Sequence, residues 1–313
     1  MFNSMEFFVA WRVMARLWTH FLAEVLYPTL LVIYLIGVGL HANKDDPRVF
    51  VAYVGLFVYV LLLLIQVWYL TYKYGRDSRY AGAVSSIQQA ALRARDAAAY
   101  LEQCNDGDAK YEVAELKSLL TPCMDAVAQA YSIVTGTRNR ACIKLFGGVK
   151  GESEPSLDHV RTFCRDSLST KDAFDVDKQE RDLHKVRKNS SYEEILYNGQ
   201  QYFFCNDWRR LGKLYKNSSK GRYPKNQELP YKAHITLPIR SPKTYAADTS
   251  NQEEDVSTLG FLGIDTDTPD RYREPRDVEL GMIIANALYV VLKRSWDAAQ
   301  EAKRRNSGAP PLI

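Results

Sequence analysis

A 22-residue apolar run, Val49–Leu70, limits what this chain can fold into more than any other feature. Gln66 is its only strongly polar side chain. At ~1.5 Å per residue, a helix of this length spans roughly the ~30 Å hydrocarbon core of a bilayer. A less pure apolar stretch precedes it at about Leu17–Leu40. No small-residue cleavage site precedes a mature domain and a second span follows at once, so this first stretch is not a cleavable signal. We therefore expect a two-helix transmembrane hairpin within residues 1–76.

Basic residues predict the orientation of the hairpin. Lysine and arginine flank the outer ends of the two spans, whereas the connecting loop His41–Arg48 balances its basic residues with acidic ones. By the positive-inside rule both termini, and with them the large domain, are cytoplasmic at the inner (cell) membrane. The five cysteines are scattered without a CxxC pair, which indicates buried thiols in a reducing compartment. Met5–Trp18 mixes aromatic and basic residues, as in a segment lying in the membrane interface.

Composition and motifs exclude several function classes. The net charge of +4 and the pI near 8.6 come without the concentrated basic stripe of a nucleic-acid-binding protein. Neither GxGxxG nor GxxxxGK[ST] occurs, so the fingerprints of dinucleotide binding and nucleotide hydrolysis are absent from the sequence. No histidine partner stands at metal-ligand spacing from a cysteine. We expect no nucleic-acid partner, no metal and no cofactor.

Three β-rich blocks organise the larger part of the chain. They are Gln201–Trp208, Leu229–Ile239 and Thr258–Asp265, and the amphipathic helix Val278–Lys293 follows them. The middle block alternates in polarity, which predicts a strand with one apolar face and one polar face because side chains along a strand point to opposite sides. The apolar face would carry Tyr231, Ala233, Ile235, Leu237 and Ile239, and the polar face Lys232, His234, Thr236 and Arg240.

Together these blocks resemble the GAF domain family. In that family a strand ending in Asn-Asp, here at Asp207, is followed by a Tyr-x-Asn segment, here Tyr215–Asn217. A strand ending in Pro-Ile, a Gly-Phe-Leu-x-x-Asp strand and a closing helix complete the pattern, which covers roughly Tyr111–Arg294. The resemblance implies an α+β fold with a mostly antiparallel sheet flanked by helices. The Asn-Lys-x-Asp-Glu signature of the cyclic-nucleotide-binding members is missing.

The resemblance also implies a small-molecule pocket on the polar face of the sheet, covered by part of Thr170–Leu196. There Lys232 and His234 would meet an anionic group such as a phosphate, and Tyr202 or Phe203 would stack on a planar ring. The alternative is a solvent-facing polar stripe, with the acidic residues that end the strands acting as turn or helix-capping acceptors. The candidate ligand-binding residues are Phe203, Asp207, Lys232, His234 and Thr236.

The expected domains are a transmembrane hairpin with an interfacial segment (1–76), helical connector and dimerisation helices (77–136), a GAF-like sensor domain (137–298) and a disordered tail (299–313). Asp77–Cys104 lacks proline and should continue the second span as a helix. In the next helix an apolar stripe that includes Leu116 and Leu120 would pack against a second subunit, cover the sheet, or do both, since one helix can present two faces. A homodimer or higher oligomer is expected.

Two functions from different classes remain open. The first is a membrane-anchored, non-catalytic sensor that binds a small, plausibly nucleotide-like ligand and acts on its own hairpin. Its architecture is that of ligand-triggered membrane effectors in bacterial defence. The second is a dimerising docking module for a separate protein, with the spans only as an anchor in the lipid bilayer. Some GAF-fold proteins reduce free methionine sulfoxide with pocket cysteines, here Cys164 and Cys205. Buried inert thiols are far commoner, and we expect no enzyme.

Overall fold

The computed structural model describes residues 26, 29, 30, 32, 33, 37, 47–106, 110–146, 158–172, 183–218, 229–241 and 258–307. Its internal contacts divide the chain into two units, Met1–Asp77 and Ser78–Ile313. The predicted interfacial segment Met5–Trp18 lies outside the described residues. So do 242–257 and 308–313. Residues 299–307, predicted as the first part of a disordered tail, are helical instead.

Helix α1, Pro47–Asp106, is a single helix of 60 residues. It confirms the prediction that the second apolar run continues as a helix into the proline-free stretch after it. In the described part of the chain, one helical stretch, Phe57–Asp106, is long and apolar enough to cross a membrane, and none of its apolar window is buried. The first predicted span, about Leu17–Leu40, lies mostly outside the described residues, so the hairpin stays a prediction.

The second unit contains a six-stranded sheet among its described residues, with the order β3-β2-β1-β6-β5-β4. Every pair of neighbouring strands in it is antiparallel, which confirms the predicted sheet type. The strands are β1 Asn139–Phe146, β2 His159–Arg165, β3 Leu183–Lys185, β4 Phe203–Cys205, β5 Ala233–Arg240 and β6 Thr258–Thr266.

Five further helices accompany the sheet in the described residues. They are α2 Val113–Thr135, α3 Ser167–Asp172, α4 Ser190–Leu196, α5 Trp208–Leu211 and α6 Arg276–Ser307, with 3₁₀ turns at Val186–Lys188 and Gly212–Leu214. Helix α2 ends at Gly136, whose φ of 69° is left-handed and whose N–H donates to Ser132 O at 2.9 Å. Glycine adopts this conformation without a Cβ penalty, which makes it a common helix terminator.

The main core lies between one face of the sheet and the helices α1, α2 and α6. The odd-numbered residues of β5, Ala233, Ile235, Leu237 and Ile239, are fully buried in it. Apolar residues spaced three or four apart on the second half of α1 join the same core: Ala83, Ile87, Ala90, Ala94, Ala97 and Leu101. The apolar face of β5 is therefore covered as the sequence predicted.

Two residues expected at a subunit interface are part of this core instead. Leu116 and Leu120 are both fully buried inside the subunit. Fully buried side chains have no surface to offer a second subunit. The apolar stripe of α2 thus takes the alternative role, covering the sheet, and any subunit interface must use other residues.

Helix α6 packs unusually close to β5 at Gly281. A Cβ built there would overlap the Cδ1 atom of Leu237 and lie 2.6 Å from the Tyr131 hydroxyl oxygen. Because real Cβ atoms do not approach other heavy atoms this closely, only glycine fits the position. The absent side chain lets α6 lie directly on the sheet.

Two local predictions differ from the structure. Tyr231 was expected on the apolar face, but it precedes β5 and its ring lies against His234 on the other side of the sheet. The dense charge of Thr170–Lys188 predicts a solvated helix or loop. The last residues of this stretch form the edge strand β3 and a 3₁₀ turn with a fully buried Val186. A three-residue strand is too short to leave a recognisable alternation.

Candidate functional site

The sheet face opposite the main core is covered by helix α4 and the turn before it. Val160 and Phe261 from the sheet pack there with Val186, Tyr192 and Ile195 in a second buried apolar cluster. The ring of Tyr192 lies 4.7 Å from that of Phe261. This face of the sheet is therefore a second packed layer, in which polar side chains lie among aromatic side chains.

His234 is at the centre of an aromatic group that we call the ring cluster: Phe203, Tyr215, Tyr231 and His234. The imidazole stacks on Phe203 with a centroid separation of 5.2 Å. The two tyrosine rings present their edges at 5.6 and 5.4 Å. His234 is only 7% exposed, and its Nδ1 atom is buried with no hydrogen-bond partner among the described residues. Buried polar atoms nearly always have a partner, so this atom requires an explanation.

Burial and, to a smaller extent, the nearby cation of Lys144 together lower the pKa of His234 to about 3. Both effects disfavour a second positive charge, because an imidazolium ion in this place would lose its water and face a like charge. The imidazole is therefore uncharged at neutral pH. In that form one of its ring nitrogens donates a hydrogen bond and the other accepts one.

A polar edge borders the ring cluster. The hydroxyl groups of Tyr215 and Tyr231 share a hydrogen bond of 3.1 Å. Asn217 Nδ2 donates to the Tyr215 hydroxyl at 3.3 Å and also to that of Tyr231. Burial raises the pKa of both tyrosines, so each keeps its proton at neutral pH. The Tyr-x-Asn segment recognised in the sequence therefore lies at this site.

Hydrogen bonds hold the covering segments in place around the cluster. Ser218 Oγ lies 2.9 Å from Nδ1 of His184, and Asn189 Nδ2 donates to the same oxygen at 3.2 Å. The backbone of Ser190 is bonded to Lys216, donating to its carbonyl at 3.0 Å, while Lys216 N donates to Ser190 Oγ at 2.8 Å. These contacts tie β3 and α4 to residues 214–218. Residues 183–196 of the predicted covering segment therefore lie here, and 173–182 fall outside the described residues.

Three of the predicted site residues come together in the structure. Phe203 pairs with Thr236 across β4 and β5, and it stacks on His234. Thr236 is 4% exposed. Neither Thr236 nor His234 faces solvent.

Asp207 and the backbone of Lys232 make contacts outside the ring cluster. Lys232 precedes β5, where its N–H donates to Thr266 O and its carbonyl accepts from Trp208 N, both at 2.9 Å. Asp207 caps helix α5 and accepts from Arg209 N at 3.1 Å and from Arg209 Nε at 2.8 Å. These bonds lower the pKa of Asp207 to about 2.

Sequence reasoning missed one charged residue near the site, Lys144 on β1. Its side chain lies on the same sheet face as His234, because its partner across the strands is Phe261. Its Nζ atom lies 5.9 Å from the centroid of the Tyr192 ring. The run Arg140–Phe146 by itself predicts a strand. The neighbours of that strand in the sheet, and hence the side on which Lys144 lies, are non-local.

The cysteines are buried and protonated. Burial raises the pKa of Cys205 to about 11 and raises that of Cys164 still further. The thiolate is the reactive form, so at neutral pH neither residue is activated as a nucleophile. Among the described residues no group of His, Cys, Asp and Glu side chains could hold a metal ion.

No family model matches this chain, and no curated protein matches it either. Solved structures of GAF domains are similar at low identity. The GAF domain from an Acinetobacter phosphoenolpyruvate-protein phosphotransferase is 8% identical, with 66% of this chain and 93% of that chain covered and a TM-score of 0.36. A putative GAF sensor protein from Burkholderia vietnamiensis is 10% identical, with coverages of 69% and 98% and a TM-score of 0.39.

A type II free methionine-R-sulfoxide reductase from Thermoplasma acidophilum is also similar. It is 10% identical, with 58% of this chain and 96% of that chain covered and a TM-score of 0.35. Similarity this distant carries no argument about activity. The function proposed for this chain therefore rests on its own residues.

Proposed function

We propose that this chain is a membrane-anchored sensor without catalytic activity. Its second unit binds a small molecule at the ring cluster, and binding changes the packing of the helices in the main core. The supporting observation is His234, an uncharged imidazole whose Nδ1 is buried without a partner among the described residues. A ligand atom placed there would supply the missing hydrogen bond, which explains why a polar residue is kept at an apolar position.

The residues around His234 favour a planar ligand that carries an anionic group. Aromatic faces such as Phe203 stack on flat rings, and the imidazole provides one directional hydrogen bond. Lys144 is a nearby cation for an anionic group, in addition to Lys232, which the sequence had suggested. A nucleotide-like molecule combines these features.

The test is to find what the purified protein carries. The full chain is extracted in detergent, and its small molecules are identified by mass spectrometry for wild type, His234→Phe and His159→Phe. His159 is the matched control because its Nδ1 is also buried without a partner among the described residues, but it lies outside the ring cluster. We expect a small molecule that His234→Phe loses and His159→Phe keeps. No bound molecule in wild type, or equal amounts in both variants, contradicts the proposal.

The membrane part of the proposal rests on the apolar stretch of α1 and on the flanking charges in the sequence. We propose a two-span hairpin in the inner membrane with the second unit in the cytoplasm, and the hairpin as the output. The identified small molecule should then cause dye leakage from liposomes that contain the full chain. The His234→Phe chain should cause none.

A docking module is the second candidate, and a specific observation favours it. Apolar side chains lie exposed on the outer helices of the second unit: Val84 is 59% exposed, Ile283 57% and Val290 48%. A second copy of the chain or a separate protein would cover such residues, and we propose that they form the homodimer contact. Co-purification of a different protein without ligand-dependent leakage would favour the docking module over the sensor.

A further inference from the structure

The segment that follows β6 and includes the first two residues of α6, residues 267–277, is held at one end by the residue after β4 and at the other by α1. We call it the β6–α6 linker. We propose that the linker couples the state of β4 at the ring cluster to the first turns of α1 in the second unit. The biological role of this coupling rests on the proposed sensor function. The contacts that support the coupling, and the experiment that tests it, do not involve a ligand.

Asn206 holds the first end of the linker. It directly follows Cys205, the last residue of β4, which pairs with His234 across the sheet. Its side-chain amide binds both backbone groups of Tyr272: Nδ2 donates to Tyr272 O at 2.8 Å, and Oδ1 accepts from Tyr272 N at 3.0 Å. The Asn206 carbonyl also accepts from Asp270 N at 2.9 Å. Three hydrogen bonds thus join the end of β4 to the linker.

The linker is stiff next to these bonds. Asp270 has a φ of 59°, in the left-handed region that non-glycine residues rarely adopt. Arg210 of α5 holds it there, with Nη1 donating to Asp270 Oδ1 at 2.9 Å. Tyr272 is buried and anchored to β1 through its hydroxyl, which donates to Asn139 Oδ1 at 2.6 Å. Because these contacts fix the linker at several points, we expect it to move as one rigid segment.

Asp277 holds the second end. Its side chain is fully buried and accepts from the backbone N–H of Arg273 at 2.7 Å and from the Tyr80 hydroxyl at 2.7 Å. Tyr80 belongs to α1, and the guanidinium group of Arg276 lies 5.7 Å from its ring. Only four residues separate Tyr272 from Asp277. A displacement of the linker at Asn206 is therefore transmitted over this short segment to the contact between Asp277 and Tyr80. Since Asp277 holds both the linker and α1, loosening either contact changes the other.

The experiment is hydrogen–deuterium exchange on the full chain in detergent. Asn206→Ala should raise the exchange rates of the linker amides and also of α1 amides 81–90 by about tenfold, the equivalent of about one lost hydrogen bond. Asn206→Asp keeps the acceptor but loses the donor, so it should raise exchange in the same two regions by a smaller factor. It replaces Asn206→Ala if that variant does not fold. Asn189→Ala is the matched control, because it removes bonds of the covering segment that do not involve the linker. Its effect should stay within 183–196 and 214–218.

A double variant separates coupling from two independent effects. Tyr80→Phe alone should raise exchange at 81–90, and adding Asn206→Ala should raise it no further than about twofold, because the contact through which Asn206 acts is already lost. If the fold-increase in exchange at 81–90 in the double variant equals the product of the two single-variant increases, the proposal is overturned. So does an Asn206→Ala effect confined to 203–212 and 267–273. Because no ligand is used, these results are independent of whether the ring cluster binds one.

Discussion

His234 combines two properties that conflict unless it has a function. It is polar, yet it is buried among Phe203, Tyr215 and Tyr231 with its Nδ1 unbonded among the described residues. Burial of an unpaired polar atom costs stability, so a purely structural residue at this position would be apolar. Such a cost is typical of a residue that is kept for binding.

At the residue scale we predict that His234→Phe stabilises the protein and flattens its pH dependence. Phenylalanine keeps a ring at the position and removes the unpaired atom, which should add about 1 kcal/mol to the free energy of unfolding at pH 7. Below the ordinary histidine pKa of 6.5 the unfolded chain takes up a proton at this residue, whereas the folded chain does so only at about 3. Wild type therefore loses stability as the pH falls from 6.5 towards 3.

The size of this loss is up to about 1.4 kcal/mol per pH unit for one proton. Urea unfolding of the full chain in detergent at pH 7, 6 and 5 measures it. The advantage of His234→Phe should grow at each step, while His159→Phe serves as the control for the loss of a histidine as such. A variant that is less stable than wild type at every pH would show that the imidazole has a structural partner.

At the scale of elements, the contact between α6 and β5 depends on the missing side chain of Gly281. Alanine there is favourable for the helix itself by roughly 1 kcal/mol, but its methyl group would collide with Leu237 and the Tyr131 hydroxyl. Overpacking of a filled core costs typically 1–3 kcal/mol. We predict that Gly281→Ala lowers the free energy of unfolding.

Gly82 on α1 provides the matched control for that substitution. A Cβ there would meet only Cγ2 of Ile133 at 3.4 Å, an ordinary van der Waals contact. Gly82→Ala should therefore raise stability by about 0.5–1 kcal/mol, as alanine does in a helix. Equal stabilisation by both alanine substitutions in thermal unfolding would contradict the claim that α6 lies too close to β5 for a side chain at Gly281.

At the scale of the whole molecule, the proposed dimer uses the outside of α6. Ile283→Asp combined with Val290→Asp places two charges in that contact, so we expect the full chain to sediment as a monomer in detergent with its sheet intact by circular dichroism. Leu116→Asp with Leu120→Asp should instead unfold the second unit, because both leucines are in the core. A wild-type chain that is already monomeric at micromolar concentration would disprove the dimer.

Topology is also a property of the whole molecule. We expect residues 77–313 to be cytoplasmic and the loop His41–Arg48 to face the other side, because of the basic flanks of the two spans. A membrane-impermeant thiol reagent applied to intact cells should label Asn43→Cys and spare Ser250→Cys. Wild type provides the background of the five native cysteines, which are all buried. Labelling of Ser250→Cys alone would reverse the orientation.

The sequence by itself determined the local periods. The alternation from Ala233 to Ile239 predicted a strand with its apolar side in the core, and the spacing in Val278–Lys293 predicted the helix that covers it. Side chains repeat every two residues along a strand and every 3.6 along a helix, so a single segment carries this information. The strand β5, the closing helix and the continuous α1 follow from such signals, whereas the antiparallel type of the sheet was implied by the resemblance to GAF domains.

Only the tertiary structure decided what lies over the other face. The alternation in β5 placed His234 and Thr236 on one side of the strand, but it does not distinguish a side that faces solvent from one that packs against protein. Residues 183–218 cover it, and they belong to segments distant along the chain. For the same reason the sequence misplaced Tyr231, overlooked Lys144 and left the role of Leu116 open. Burial and pKa depend on neighbours brought together by the whole fold, and no local pattern encodes them.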